Sequence, residues 1–343
     1  MSRILIITDA WAPQVNGVVR TLQSVRAELV QMGHVVDVIA PDRFMTLPCP
    51  TYPEIRLAMA APGSIGKMIA AFAPDAIHLA TEGPLCLAAR RWCVRQGRAF
   101  TTAYHTNFPH YVEQRTGLSA NWFWPYFRWF HGAASAVLTS TPSIRADLHR
   151  AGIMRTHHWG RGVDLALFSP EGPQHPAFKD LPRPILLHVG RVAVEKNVEA
   201  FLALDCPGSK VVVGEGPARA ALQERYPDAH FLGLQTGEPL AAAYRSADAL
   251  VFPSRTDTFG LVMIEALASG TPVAAYPVMG PVDVLTDAVG AMDEDLGIAV
   301  EKALLASRAD CARYGAGFSW RRSAEEFLGS LHWLAEKRLR QAA

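Results

Sequence analysis

Short apolar runs rich in isoleucine and valine recur along the chain at residues 4–7, 35–39, 76–79 and 136–138, and again at 185–189, 210–213, 249–252 and 273–275. Amphipathic segments of helical length lie between them. Strands buried on both faces need continuous apolar runs of this size, so the alternation predicts parallel sheets covered on both sides by helices. Residues 168–184 separate the two sets and hold five prolines, two acidic residues and a turn-like Glu171-Gly172-Pro173, with no periodicity. Such a stretch predicts an interdomain linker. The expected architecture is α/β, with two doubly wound, Rossmann-like domains, 1–170 and 171–317, facing one another across a cleft. Residues 320–340 are rich in Glu, Leu, Lys and Arg and predict a helix. The segment 318–343 is expected to cross back to the first domain.

A length of 343 residues fits that division, since single cores rarely grow past roughly 250–300 residues. No apolar run approaches the ~20 residues of a membrane-spanning helix. The stretch at 4–7 is too short for the core of a signal peptide and reads as a first buried strand. With half its residues apolar and 19% charged, the chain reads as a cytoplasmic protein, soluble or peripheral to a membrane. Cys49, Cys86, Cys93, Cys206 and Cys311 form no CxxC or CxxH spacing, which predicts reduced thiols in place of disulfides or a zinc site. The formal net charge of +1 hides an asymmetry: +6 over residues 1–170, −7 over 171–317 and +2 over 318–343. A basic half marks an anionic partner surface or reflects simple drift of surface charge.

The most informative stretch is 253–272, Pro-Ser-Arg-Thr-Asp-Thr-Phe-Gly-Leu-Val-Met-Ile-Glu-Ala-Leu-Ala-Ser-Gly-Thr-Pro. A predicted strand ends at Phe252, a loop carries Asp257, Gly260 precedes an apolar helix, and Glu265 sits about one and a half turns into it. Open parallel sheets bind ligands at the carboxyl ends of strands, and a helix N-terminus there favours an anion. The backbone amides of Thr258, Phe259, Gly260 and Leu261 are thus placed to meet a diphosphate or sugar hydroxyls. A carboxylate suits such hydroxyls because it accepts charge-assisted hydrogen bonds. The simpler alternative is a helix-capping loop with a surface glutamate.

A second stretch weighs against that alternative. The strand 185–189 runs into Gly190-Arg191-Val192-Ala193-Val194-Glu195-Lys196-Asn197, which delivers an arginine and a lysine to another strand end. Two fixed cations suit a pyrophosphate leaving group, whose charge rises as the glycosidic bond breaks. An ion pair between Arg191 and Glu195 would be a purely structural use of the same residues.

These stretches resemble glycosyltransferase family 4, the retaining enzymes of the GT-B fold. Asp257-x7-Glu265 resembles the family's Glu-x7-Glu signature, with Asp in place of the commoner Glu, and Gly190-Arg191 through Glu195-Lys196 resembles its donor-phosphate motif. The likeness extends over nearly the whole chain. Asn16-Gly17-Val18 resembles the glycine turn facing the donor, and His105-Thr106, after the strand-like 100–104, the active-site histidine segment. Arg161-Gly162-Val163-Asp164 resembles the hinge sequence, while Val213-Gly214-Glu215-Gly216-Pro217 and Phe231-Leu232-Gly233 resemble the loops around the base. The resemblance implies that Arg191 and Lys196 hold a diphosphate, Glu265 the ribose hydroxyls, and Asp257 with the following amides the sugar. It places His105 beside the reacting sugar. No cofactor is implied, since the donor is a UDP-sugar or GDP-sugar, and no covalent intermediate, since the leaving phosphate helps to accept the acceptor's proton. Asp9 and Glu82, at strand ends, are expected either at the same cleft or in capping and loop ion pairs.

Three other signals point away from chemistry. Asp293-Glu294-Asp295 has the Asp-x-Asp spacing of metal-dependent transferases but precedes an amphipathic helix at 296–305. It reads as that helix's acidic cap, so no metal site is expected. Gly214-Glu215-Gly216 lacks the third glycine of a dinucleotide fingerprint. Thr139-Ser140-Thr141-Pro142-Ser143 reads as a loop and cap, with no implied base for a nucleophile.

Within the family, Thr256-Asp257-Thr258-Phe259-Gly260 and Ala80-Thr81-Glu82-Gly83-Pro84 most resemble bacterial diacylglycerol glycosyltransferases, sulfoquinovosyl diacylglycerol synthases and GDP-mannose-dependent mannosyltransferases. The first expectation is transfer of a hexosyl or hexuronosyl group to diacylglycerol or a glycolipid at a membrane surface. The alternative is mannosyl transfer from GDP-mannose to a saccharide or phosphoinositide. An epimerase or a noncatalytic sugar-nucleotide sensor on the same fold is the reading from another class.

Residues 122–130 hold seven aromatics in nine positions, and Pro125 can start a helix on which Tyr126, Trp129 and Phe130 share one side. Trp and Tyr favour the headgroup zone, and Arg90, Arg91, Arg95 and Arg98 form a basic segment. Docking of the first domain on an anionic membrane follows, with burial of the aromatics in a core or acceptor groove as the alternative. No nucleic-acid partner is expected.

Overall fold

A computed structural model describes residues 1–14, 16–49, 52–61, 63–105 and 119–334. Thr106 and the distal part of the expected C-terminal helix, 335–340, lie outside the described residues. The chain divides into two compact units, Met1–Gly160 together with the segment from Trp320, and Arg161–Ser319.

The first unit contains strands β1 (Arg3–Ile7), β2 (Val35–Ile39), β3 (Thr46–Cys49), β4 (Tyr52–Ala58), β5 (Ala76–Leu79), β6 (Thr101–Tyr104), β7 (Ala136–Thr139) and β8 (Thr156–His158). Six of them form one parallel sheet in the order β2-β1-β5-β6-β7-β8, while β3 and β4 pair antiparallel beside it. Its helices are α1 (Gly17–Gln31), α2 (Ser64–Phe72), α3 (Pro84–Arg95), α4 (Trp124–Gly132) and α5 (Pro142–Arg150). The second unit holds β9 (Ile185–Val189), β10 (Ser209–Val213), β11 (His230–Gly233), β12 (Ala249–Phe252), β13 (Val273–Ala275) and β14 (Gly290–Met292), all parallel in the order β11-β10-β9-β12-β13-β14. Helices α6 (Val198–Leu202), α7 (Arg219–Arg225), α8 (Gly237–Ser246), α9 (Leu261–Ala268), α10 (Pro281–Val284), α11 (Leu296–Ala303) and α12 (Arg308–Gly315) accompany them, and α13 (Trp320–Ser330) returns to the first unit.

The continuous apolar runs are explained by burial on both faces. Along β9, Ile185, Leu187 and Val189 enter one core with Leu250 and Met263, while Leu186 enters the opposite core with Val212 and Val251. Each fully buried side chain of this kind contributes about 1.5–3 kcal/mol. The proline-rich stretch does not hang between the units. Phe168 and Phe178 lie in the core of the second unit, and His175 N donates to Ser246 Oγ at 2.7 Å. Apart from one 3-10 turn at Pro176–Phe178 it is irregular, and its two phenylalanines anchor it. Helix α13 packs on the first unit: Trp159 Nε1 donates to Ser323 Oγ at 3.1 Å, and Phe327 meets the rings of Trp159 and His78 at 5.0 and 4.9 Å.

The aromatic segment splits between core and surface. Phe127 and Phe130 on α4 are buried, and Tyr126 donates its hydroxyl to Glu82 O at 2.5 Å. Trp124 lies parallel to Tyr104 at 6.3 Å. Trp122 and Trp129 are 78% and 47% exposed. Tyr126 does share one side with Trp129 and Phe130, its ring 6.0 and 6.1 Å from theirs, but that side is not wholly exposed, because Phe130 is buried with Phe127. Arg90 also leaves the proposed basic segment: it is buried, stacks over the Trp129 ring at 3.9 Å, and donates to Phe130 O and Trp129 O. Arg91, Arg95 and Arg98 remain exposed. Among the described residues no helix is long and apolar enough to cross a membrane. Cys86, Cys93, Cys206 and Cys311 are free thiols.

Candidate functional site

In the second sheet β9 is followed on one side by β10 and on the other by β12, so the chain direction of the winding reverses between them. Crevices at such points, outside the carboxyl ends of the strands, are where open α/β sheets bind ligands. The loops after β9 and β12 meet there. Asn197 Nδ2 donates to Pro253 O at 3.2 Å, and the hydroxyls of Ser254 and Thr256 donate to Glu195 O at 3.5 and 3.4 Å. The loops after β9, β10 and β11 are joined by backbone: Gly190 N to Val213 O at 3.0 Å, Val192 N to Glu215 O at 2.9 Å, and Gly214 N to Gly233 O at 2.8 Å. This approach requires glycine at 214, where φ is +148° and an added Cβ would lie 1.8 Å from Gly190 O.

These loops bring together most of the residues singled out in the second half. Lys196 Nζ donates to Asp257 Oδ1 at 2.5 Å, and Arg191 Nη1 lies 3.9 Å from Glu195 Oε1. The ion pair offered as a structural use of Arg191 is thus present, and Lys196 has one too. Burial pushes the Asp257 carboxyl up, but the adjacent Lys196 charge and its hydrogen bond outweigh that and hold it below the ordinary carboxylate value. Oδ2 of Asp257 is buried, and the adjacent Ser254 hydroxyl also helps to lower the carboxyl's pKa.

Helix α9 follows Gly260, where φ is +82°, and among the described residues no side chain accepts from the amides of Leu261 and Val262. The amides of Thr258, Phe259, Gly260 and Leu261 therefore lie in one turn entering a helix whose N-terminal end favours an anion. Phe259 is buried in the core, which fixes the turn from below. Glu265 is 3% exposed, so it is no incidental surface glutamate; its Oε2 accepts from the Tyr244 hydroxyl at 2.9 Å. Tyr244, on α8, escaped the sequence reading, and its only signal was a lone aromatic in the apolar run 240–244. His188 also escaped it. Burial lowers its pKa to about 4, its Nδ1 lies 3.4 Å from Val251 O, and an added Cβ on Gly190 would lie 3.5 Å from its Nε2. A histidine inside the apolar run 185–189 was the signal. Gly233, at the end of β11, neighbours the Glu215–Arg219 ion pair.

In the first unit the corresponding point lies between β1 and β5. Asp9, after β1, accepts from Leu85 N at 2.8 Å, Cys86 N at 3.4 Å and the Thr81 hydroxyl at 2.9 Å. It caps α3 from a distance in sequence. Burial raises its pKa despite these hydrogen bonds. An added Cβ on Gly83 would sit 2.4 Å from the Asp9 carboxyl carbon, so only glycine admits this approach. Asn16 caps α1, accepting from Val18 N at 3.1 Å and Val19 N at 3.0 Å, with Gly17 as the first helical residue. Glu82 lies 3.3 Å from His131 Nε2. His105, just beyond β6, is buried with its ring edge-on to Trp159 at 5.3 Å.

The Asp-x-Asp pair is engaged in local structure. Asp295 caps α11, accepting from Gly297 N at 2.8 Å, and Asp293 pairs with Lys302 at 2.9 Å.

Residues 15–167 match the family model Glycosyltransferase Family 4, and residues 183–310 match Glycosyl transferases group 1. The chain is 32% identical to a GDP-mannose-dependent alpha-mannosyltransferase of Mycobacterium tuberculosis, over 99% of each chain. It is 28% identical to a GDP-mannose-dependent alpha-(1-6)-phosphatidylinositol dimannoside mannosyltransferase of the same species, over 97% of each. In structure it is similar to sucrose-phosphate synthase from Thermosynechococcus elongatus, with a TM-score of 0.79 and 21% identity over 100% of both chains.

Proposed function

Because the chain belongs to glycosyltransferase family 4, with the GT-B fold and retaining glycosyl transfer as its activity, we propose that it moves a mannosyl group from GDP-mannose to an acceptor hydroxyl of a saccharide or phosphoinositide. The GDP-mannose-dependent relatives, similar over nearly the full length, favour this donor over the broader hexosyl transfer to diacylglycerol. The observation that supports the donor site is the Lys196–Asp257 pair, which joins the loop after β9, carrying Arg191 as well, to the loop that leads into α9.

In this reading the second unit takes the donor and the first the acceptor. Arg191 and Lys196 hold the diphosphate and stabilise its charge as the bond to the anomeric carbon breaks. Glu265, oriented by Tyr244, takes the ribose hydroxyls, and Asp257 with the amides of residues 258–261 takes the sugar. His105 serves the reacting sugar, and Asn16-Gly17-Val18 the donor's edge. A phosphate oxygen of the leaving group accepts the acceptor's proton on the face where the new glycosidic bond forms, so the configuration is kept. The test is product analysis with a panel of GDP- and UDP-sugars in EDTA, with and without acceptor. GDP-mannose should be consumed only when acceptor is present, giving an α-linked product. Conversion without acceptor would indicate an epimerase, and binding without turnover a sensor.

A second observation favours a lipid-borne acceptor and a place at the inner face of the cell membrane. Trp122 and Trp129 are exposed, and Arg91, Arg95 and Arg98 are available to anionic headgroups. The protein should then sediment with anionic vesicles, release at high salt, and lose binding in Trp122→Ser/Trp129→Ser. Full activity on a soluble saccharide without vesicle binding would move the acceptor from lipid to saccharide.

A further inference from the structure

Two demands meet on each member of one ion pair. The donor reading asks Lys196 to hold a diphosphate and Asp257 to hold sugar hydroxyls, yet Lys196 Nζ donates to Asp257 Oδ1 at 2.5 Å. An ammonium facing a carboxylate has lost much of its attraction for a second anion, and a carboxylate held by an ammonium is a weaker acceptor for a hydroxyl. We propose that Lys196 and Asp257 form an exchangeable ion pair: a diphosphate draws Lys196 away from Asp257, and the released carboxylate accepts hydroxyl hydrogen bonds from the sugar joined to that diphosphate. This rests on the donor-site reading above.

The surroundings suit an exchange of side-chain partners on fixed loops. The pair bridges the loops after β9 and β12, whose backbones are tied by Asn197, Ser254 and Thr256. The side chains are 27% and 23% exposed, so a ligand can reach both without opening the core. Lys196 bonds Oδ1, and the Ser254 hydroxyl is the other donor beside the carboxylate, which therefore keeps acceptor capacity once Lys196 leaves. Arg191, with Glu195 at 3.9 Å, is paired at longer range within its own loop.

The exchange gives the site a preference. GDP must break the pair and offers Asp257 nothing in return, whereas GDP-mannose supplies hydroxyls to the carboxylate it releases. Removing the carboxylate should therefore help GDP and harm the sugar nucleotide. Calorimetric titration of the full chain with GDP is expected to show about tenfold tighter binding in Asp257→Asn than in the parent, while turnover of GDP-mannose falls. Lys196→Ala should weaken GDP, and adding Asp257→Asn to it should bring no tightening, since there is no ammonium left to free. Asp257→Ser provides a second neutral variant should the asparagine variant melt early. Unchanged or weaker GDP binding in both neutral variants, with Lys196→Ala still weakened, overturns the exchange alone. Parental GDP binding in Lys196→Ala overturns the donor site and the exchange with it.

Discussion

The two sheets make the same kind of crevice and fill it differently. Numbered within each unit's parallel sheet, the strand orders are 2-1-3-4-5-6 in the first and 3-2-1-4-5-6 in the second, so each reverses its winding beside its first strand. At that point in the first unit, the protein's own side chains occupy the helix N-termini: Asp9 on the amides of α3 and Asn16 on those of α1. In the second, α9 follows Gly260 with no side-chain cap among the described residues, and the loop carboxylate Asp257 is bound by Lys196. A helix end that already holds a buried carboxylate repels a phosphate, whereas one without such a cap and with a lysine on the adjoining loop attracts it. Topology supplies the crevice, and the side chain at the helix end decides whether an external anion can use it.

Removing charge from each crevice breaks the comparison most directly. Lys196→Ala and Arg191→Ala are expected to lower turnover about 100- to 1,000-fold with melting near the parent's. Asp9→Ala should instead cost about 1–3 kcal/mol of stability, because it leaves buried amides of α3 unpaired. Initial rates and melting curves on the same proteins check both, and parental kinetics in the lysine variant or parental melting in the Asp9 variant would erase the distinction.

A smaller effect sharpens the second crevice alone. Tyr244→Phe removes the hydroxyl that orients Glu265 and is expected to raise the donor KM about tenfold while kcat changes less. An unchanged KM in a stably folded variant would leave Tyr244 as core packing.

Acid should weaken both units by the same cause. Burial lowers the pKa of His78 from 6.5 to about 3 and that of His188 from 6.5 to about 4. The unfolded chain therefore binds more protons between those values and 6.5. The stability these neutral histidines allow is complete above pH 6.5 and is lost as pH falls, at about 1.4 kcal/mol per pH unit for each histidine. Denaturation midpoints between pH 7 and pH 4.5 measure this loss, which His78→Gln and His188→Gln should each reduce; a flat parental profile would contradict it.

Much of this was legible in the sequence because most strands of the two parallel sheets are short apolar runs. β2, β5, β9, β12 and β13 fall where the apolar runs lie. The strands that escaped are the antiparallel pair β3 and β4, outside the parallel sheets, and three edges: β8 is Thr156-His157-His158, and β11 and β14 end the second sheet. An edge strand has a neighbour on one side only, so it needs less apolar sequence to be held. Arg191, Lys196, Asp257 and Glu265 stood out by their positions at strand ends. Tyr244 and His188 did not, since one acts across twenty-one positions of sequence and the other from inside a strand. Arg90 misled, because a helical arginine reads as solvated until an exposed tryptophan ring and two carbonyls are found around it.

The claim at the centre is that the second unit's crevice, at residues 190–197 and 258–261, holds the donor diphosphate. Amide hydrogen exchange on the full chain with and without GDP measures this directly. Slowed exchange is expected in both stretches, with Lys196→Ala needing more GDP to reach it; unchanged exchange there under conditions where GDP binding is saturated would contradict the assignment.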